Sequence, residues 1–308
     1  MNEPSADSPV LELIAPFRAD SFPLVLRVLV SMVFVALLAA RAVAQDASTN
    51  HDYFAVEDAK ARGELPLYKI IPTGVTLDEG GIVRGPKERK RIALEFTGHE
   101  FAEGGQVILD ELAKHHARAS FFLTGDFLAN PEFKPLAQRI IREGHYLGPH
   151  SDKHLLYCSW ADRNKTLVTR EQFTNDLGGN LAKIAALGVN LSAVRYWLPA
   201  YEYYNRDVVK WSSELGLVLV NYTPGTRANA DYTEDKAANF VSSQAILESI
   251  LKREREDPDG LNGFLLLMHL GSGPRRTDKM PRRFGELLEA LSAKGYQFVR
   301  VDELPSAK

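Results

Sequence analysis

Residues 91–124, RIALEFTGHEFAEGGQVILDELAKHHARASFFLT, decide the fold class. They open on a short apolar strand, Ile92–Phe96. The next segment, Gly104–His116, carries Val107, Ile108, Leu109 and Leu112 on one helix face, and Ala119–Thr124 is strand again. Strand, helix and strand with no hairpin turn form a βαβ unit, whose strands run parallel.

The same alternation continues along the chain. Pro131–Gly144 reads as a helix with proline near its start and glycine at its stop, and Tyr146-Leu147 as a short third strand. Thr169–Leu187 is a long helix ended by Gly188, followed by strand Val194–Leu198, helix Asn205–Leu215 and strand Leu217–Tyr222. Helix Ser242–Glu256 precedes Gly263–His269 (GFLLLMH), a continuous apolar strand buried on both faces. Pro281–Lys294 is the last helix and Tyr296–Val301 the last strand. Seven strands separated by helices make an α/β fold with a parallel sheet, open or closed into a barrel.

The chain has 308 residues, and its 37 basic and 40 acidic side chains leave a formal charge of −3. A nucleic-acid binder held by net basic charge is excluded. With 45% hydrophobic residues the chain is not intrinsically disordered. A single cysteine, Cys158, excludes an internal disulfide or a thiolate zinc cluster.

The N-terminus reads separately. Val28–Ala40 is a short apolar run between Arg27 and Arg41, and Ala42-Val43-Ala44 supplies a small-x-small cleavage pattern before Gln45. These are the features of a secretory signal peptide over residues 1–44. The alternative is an uncleaved membrane anchor, although the run falls short of the roughly 20 residues a span needs. Either reading exports the chain to a periplasmic or extracellular space, with membrane association only if the segment is retained. Cys158 is then most simply buried and unreactive. Residues 45–90 read as an N-terminal extension, and 91–304 as the main domain.

Polar and titratable residues collect just after the strands: Thr97, His99 and Glu100; Asp126; His150, Asp152 and His154; Tyr201 and Glu202; Arg227 and Asp231; His269. In a parallel barrel these positions share the C-terminal mouth, where active sites are built. Four of the eight histidines lie there. His150 and His154, at i and i+4, share a helix face or one turn of a tight loop, so both imidazoles can reach one divalent ion: zinc, iron, cobalt or nickel. His269 is either a satisfied core histidine or a general acid tuned by burial. Tyr201, Tyr203, Tyr204, Trp160 and Trp197 suit a sugar groove or plain rim packing. Arg227 suits an anionic substrate group, or a salt bridge to Asp231 or Glu234.

These residues resemble the polysaccharide deacetylase family, also called the NodB-homology or carbohydrate esterase family 4 domain. The carriers are Ile92–Phe96, Ala119–Phe122, Gly144–His154, Leu198–Tyr201 and Leu266–His269. The resemblance implies a distorted (β/α)7 barrel and metal-dependent hydrolysis of acetyl groups on glycans. It also implies that the backbone N–H of Tyr201 helps hold the oxyanion. The first motif departs from the family's Thr-Phe-Asp-Asp-Gly and reads Glu95-Phe96-Thr97-Gly98-His99, so the base aspartate is Thr97 and the metal aspartate Gly98. The family's arginine before the third-motif proline falls at Leu198, a paired loss because that arginine normally holds the base aspartate.

The expectation is therefore a metal-dependent carbohydrate deacetylase acting on an acetylated glycan or oligosaccharide, with a divalent ion, zinc first and cobalt or nickel as alternatives. His150 and His154 hold it with Glu100 or His99 as third ligand, His269 is the acid, and Glu100 or Asp126 the base. Two rivals stay open: a catalytically inactive glycan-binding protein on the same barrel, and a hydrolase of non-sugar amides.

Overall fold

The structure is a computed structural model and describes residues 71–305. The signal or anchor segment 1–44 and the first part of the extension, to residue 70, lie outside the described residues. The described part begins with an antiparallel hairpin, β1 (Thr76–Asp78) and β2 (Gly81–Arg84). Its turn passes through Gly80 at φ +92°, a conformation glycine enters without steric cost.

The central strand is β3 (Arg91–Gly98), and its alternation sorts the interior. Ile92, Leu94 and Phe96 face outward into the layer beneath the helices, while Ala93, Glu95 and Thr97 face inward. Helix α1 (Gly105–Lys114) buries Ile108, Leu109 and Leu112 in that outer layer. Each such fully buried side chain stabilises the fold by about 1.5–3 kcal/mol. After β4 (Ser120–Leu123) come the short helix α2 (Gly125–Ala129) and α3 (Lys134–Arg142), then β5 (Tyr146–Pro149) and α4 (Arg170–Ala186). The chain continues through β6 (Tyr196–Trp197), α5 (Arg206–Glu214), β7 (Val218–Leu219), α6 (Ser243–Glu256), β8 (Phe264–His269), α7 (Phe284–Ser292) and β9 (Gln297–Val299).

Strands β5, β4, β3 and β8 lie side by side and parallel, with β9 beside the first half of β3. A few hydrogen bonds close the remaining wall. Leu198 N donates to Pro149 O at 3.2 Å, joining β6 to β5, and Thr223 N donates to Leu265 O at 2.9 Å, joining the chain after β7 to β8. The seven expected strands are all present in a distorted parallel barrel. The distortion is local: β6 and β7 keep only two regular residues each.

Two features were not read from the sequence. Strand β2, in the segment taken as an extension, joins the wall through Asn221 N to Ile82 O at 2.8 Å, and its Ile82 enters the inner core. Helix α2 starts where a loop was expected, because Thr124 caps it: its Oγ1 accepts from Phe127 N at 3.1 Å.

Candidate active site

The C-terminal mouth of the barrel holds a cavity of about 600 Å3. His99, Glu100, His150, His154, Tyr201, Glu202 and His269 all line it, so the structure brings together most of the residues singled out by position. Its rim is aromatic: Trp160 stacks on Tyr203 at 4.2 Å and meets Tyr201 edge-on, while Tyr232 stands 5.2 Å from the His269 ring. Trp160, Tyr201 and Tyr232 are exposed, which fits stacking on a sugar face. Tyr204 and Trp197 are fully buried and take no part in the rim.

The loop after β5 aims two of the histidines. His150 N donates to Asn180 Oδ1 at 2.7 Å, and Asp152 N and Lys153 N donate to Asp176 at 3.1 and 2.9 Å. Tyr157 OH donates to Asp176 at 2.6 Å. Asn180 and Asp176, four residues apart on the buried face of α4, thus replace the ladder bonds this loop lacks. The bonds hold Ser151 at φ 72° and His154 at φ 54°, left-handed conformations that L-residues rarely keep without such support. The i, i+4 pair therefore sits on a loop and not on a helix.

His150 is buried, and its Nδ1 lies 2.8 Å from Leu198 O, so Nδ1 carries the proton and Nε2 is left free. Burial, with His154 nearby, holds its pKa well below the usual imidazole range. Burial likewise lowers His154 to about 4, with His99 and His269 adding to the shift. Both imidazoles are neutral at pH 7, the state a metal ligand requires. The rings of His150 and His154 are 5.3 Å apart, and His99 lies flat against His154 at 4.4 Å. Among the described residues, no group of three or more His, Cys, Asp or Glu side chains is arranged to hold a metal ion. The pair thus fits a ligand role by protonation and tautomer, and a third ligand is not set in place.

His269 ends β8 against Asp231, which the sequence placed at the same mouth but paired only with Arg227. Nδ1 is 2.6 Å from Asp231 Oδ1, and the His269 backbone N donates to Oδ2 at 2.9 Å. Burial works to lower the His269 pKa, but the Asp231 carboxylate and Glu202 outweigh it and the pKa is raised. Asp231 is itself buried, so Arg227, which is exposed, does not engage it. Arg276 is fully buried and braces the loops through Thr233 O, Val241 O and Asp278 O.

The other sequence candidates separate. Glu100 lines the cavity and is exposed. Asp126 is not among the residues lining it, because Lys153 ties its carboxylate at the rim. At the position of the absent base aspartate Thr97 is buried with its hydroxyl unpartnered, and at that of the absent arginine Leu198 packs in the inner core. A Cβ at Gly98 would meet Leu123, Phe127 and Leu270 at 2.9–3.1 Å. Apolar side chains fill that space, so Gly98→Asp alone is expected to destabilise the fold by about 1–3 kcal/mol. Thermal denaturation checks it, and an unchanged midpoint would show that the space opens freely.

Fold and mouth together define a parallel α/β barrel with a histidine- and carboxylate-lined hydrolytic cavity. Residues 84–220 match the family model described as polysaccharide deacetylase, the family that the sequence motifs resemble. The hydrolase class expected from the sequence is the class of that family. The chain is 25% identical over 223 residues to a peptidoglycan-N-acetylglucosamine deacetylase of Bacillus cereus, covering 71% of this chain and 70% of that one. It is 26% identical to the peptidoglycan-N-acetylglucosamine deacetylase PgdA of Listeria monocytogenes but spans only 43% of that protein's length. Among solved structures, a family 4 pseudoenzyme from Bacillus anthracis aligns with a TM-score of 0.57 at 19% identity, over 75% of this chain and 70% of the other. A family 4 acetyl xylan esterase from Clostridium thermocellum, solved with a cobalt ion, aligns with a TM-score of 0.53 at 19% identity, over 70% and 90%. The two structural likenesses carry the fold. Deacetylases of this family are generally metal-dependent, and the family implies an acetylated carbohydrate substrate.

Proposed function

We propose that this chain is an exported hydrolase that removes acetyl groups from N- or O-acetylated carbohydrate. The observation that carries the reading is the His269–Asp231 pair facing neutral His150 and His154 across an aromatic-rimmed cavity of about 600 Å3. In its protonated form His269 gives a proton to the leaving nitrogen or oxygen, and Asp231 holds the ring in the tautomer that can do so. The backbone N–H of Tyr201, in a left-handed turn at φ 60°, holds the developing oxyanion. Trp160, Tyr201 and Tyr232 stack on the sugar, and their neutral surface suits an uncharged acetylated residue. His150 and His154 are the residues that would hold a divalent ion, with Glu100 or His99 as third ligand; zinc, cobalt or nickel would polarise the acetyl carbonyl as a Lewis acid.

The apolar filling around Gly98 and the apolar Leu198 favour a second reading, a glycan-binding protein without turnover on the same barrel. One experiment separates them. The purified chain, beside a His150→Ala/His154→Ala double variant, is assayed for acetate release from chitooligosaccharide and peptidoglycan and for metal content by mass spectrometry. The deacetylase reading expects acetate release and about one transition-metal ion per chain, lost in the double variant. Glycan binding with neither acetate nor metal would establish the second reading.

A further inference from the structure

A hydrolase at this mouth needs a base for the attacking water, and the expected positions do not supply one. Thr97 has no carboxylate, Asp126 is held at the rim by Lys153, and Glu100 stands exposed in water. Glu202 is different. It lines the cavity with His269, and among the described residues its carboxylate makes no hydrogen bond or ion pair. Its backbone is held at φ 53° beside Tyr201, in a conformation that favours glycine. Glu202 N donates to Pro199 O at 3.0 Å, and Glu202 O accepts from Asn221 Nδ2 at 2.8 Å, so neighbouring elements fix the strained turn. Backbone strain carried by a polar, unpartnered side chain at a cavity wall points to a task for that side chain.

Resting on the deacetylase reading, we propose that Glu202 is the base of the reaction, taking the proton of the water that attacks the acetyl carbonyl. The water oxygen bonds to the carbonyl carbon as its proton passes to Glu202. The C–N bond then breaks as protonated His269 delivers its proton to the leaving nitrogen. Acetic acid and a free amine result, and the acid ionises to acetate by giving its proton to solvent; Glu202 likewise loses its proton to solvent and His269 regains one.

The groups facing Glu202 are Glu95 from β3, His269 from β8, Asp231 after the turn at Ala228–Ala230, and Tyr222 after β7. Burial pushes Glu202 up to about 7; His269 opposes that rise and Asp231 adds to it. Glu95, sealed in the barrel interior with both oxygens unpartnered, is pushed by burial to about 8, with Glu202 contributing. Of the two carboxyls the deeper one keeps its proton and the cavity-lining one ionises first. A base that ionises near pH 7 beside an imidazole with a raised pKa gives the two opposite protonation states that hydrolysis needs together.

The test measures acetate release from chitooligosaccharide across pH for the wild-type chain and for Glu202→Gln, Glu202→Asp and Glu202→Gly, with melting temperatures. Glu202→Gln is expected to lose about 100-fold or more in kcat at similar KM and to lose the rise in activity on passing up through neutral pH. Glu202→Asp recovers part of the rate and keeps that rise. Glu202→Gly melts at or above the wild-type temperature, because glycine relieves the left-handed turn, yet is as slow as Glu202→Gln. This last variant decides the matter even if glutamine disturbs the loop. A Gln or Gly variant within about threefold of wild type overturns the base assignment alone and leaves the deacetylase reading standing. A wild-type chain that releases no acetate overturns that reading, and the base assignment with it.

Discussion

Replacing His269 with asparagine is expected to lower kcat for acetate release by about 10²- to 10⁴-fold, the range that a positioned general acid contributes. Asparagine keeps a polar side chain beside Asp231, so the fold is expected to survive. The finer test is Asp231→Asn. In the native chain burial works to lower the His269 pKa, and the carboxylate 2.6 Å away, with Glu202, raises it instead. An acid must carry its proton, so activity falls as pH rises through the His269 pKa. Neutralising Asp231 removes most of the opposing effect, burial then prevails, and the falling limb of the pH profile moves to lower pH. A falling limb that stays in place in Asp231→Asn would show that His269 is not the acid.

How much of this was legible in the sequence depends on distance along the chain. The β3–α1–β4 unit is local, and its apolar spacing alone places Ile92–Phe96 and Ala119–Thr124 in neighbouring parallel strands. The mouth was legible too, because a parallel barrel gathers strand exits on one face and His99, His150, His154 and His269 all occupy such exits. Partners were not legible. Asp231 precedes His269 by 38 residues, and nothing local distinguishes a carboxylate that meets a histidine from one that meets Arg227. Strand β2 was missed because its few apolar residues sit in a polar stretch, and only the closing barrel gives Ile82 a core to enter. Asp176 and Asn180 offered a usable signal: two polar residues four apart on the face of α4 that also buries Phe173, Leu177, Leu181 and Ile184. Polar groups on a buried helix face must bond to something, and here they bond to the loop that carries the histidines. Glu202 offered a weaker one, since its left-handed backbone appears only once the chain is folded.

Glu95→Gln is expected to raise the stability of the domain by about 3 kcal/mol at pH 7 and to leave it nearly unchanged at pH 4. The carboxyl is fully buried with neither oxygen partnered, and burial lifts it from an ordinary 4.5 to about 8. Because the folded-state pKa is the higher one, the side chain's contribution is fully present below 4.5 and is lost as pH rises towards 8. Over that window the unfolded chain releases the proton while the folded chain holds it, at about 1.4 kcal/mol per pH unit. Glutamine has the shape of the neutral acid and no proton to lose, so it is spared the loss. Urea unfolding of both proteins from pH 4 to 8 measures the difference, and a gap that does not widen with pH would refute the account. A cost of this size is large against a typical domain stability of about 5–15 kcal/mol. It lies on the inward face of the strand that ends at the cavity, directly below Thr97, where a strand packed only for stability would carry an apolar residue. Glu95 thus keeps a neutral acid at pH 7, and the charge of Glu202 adds to the burial that holds its proton on.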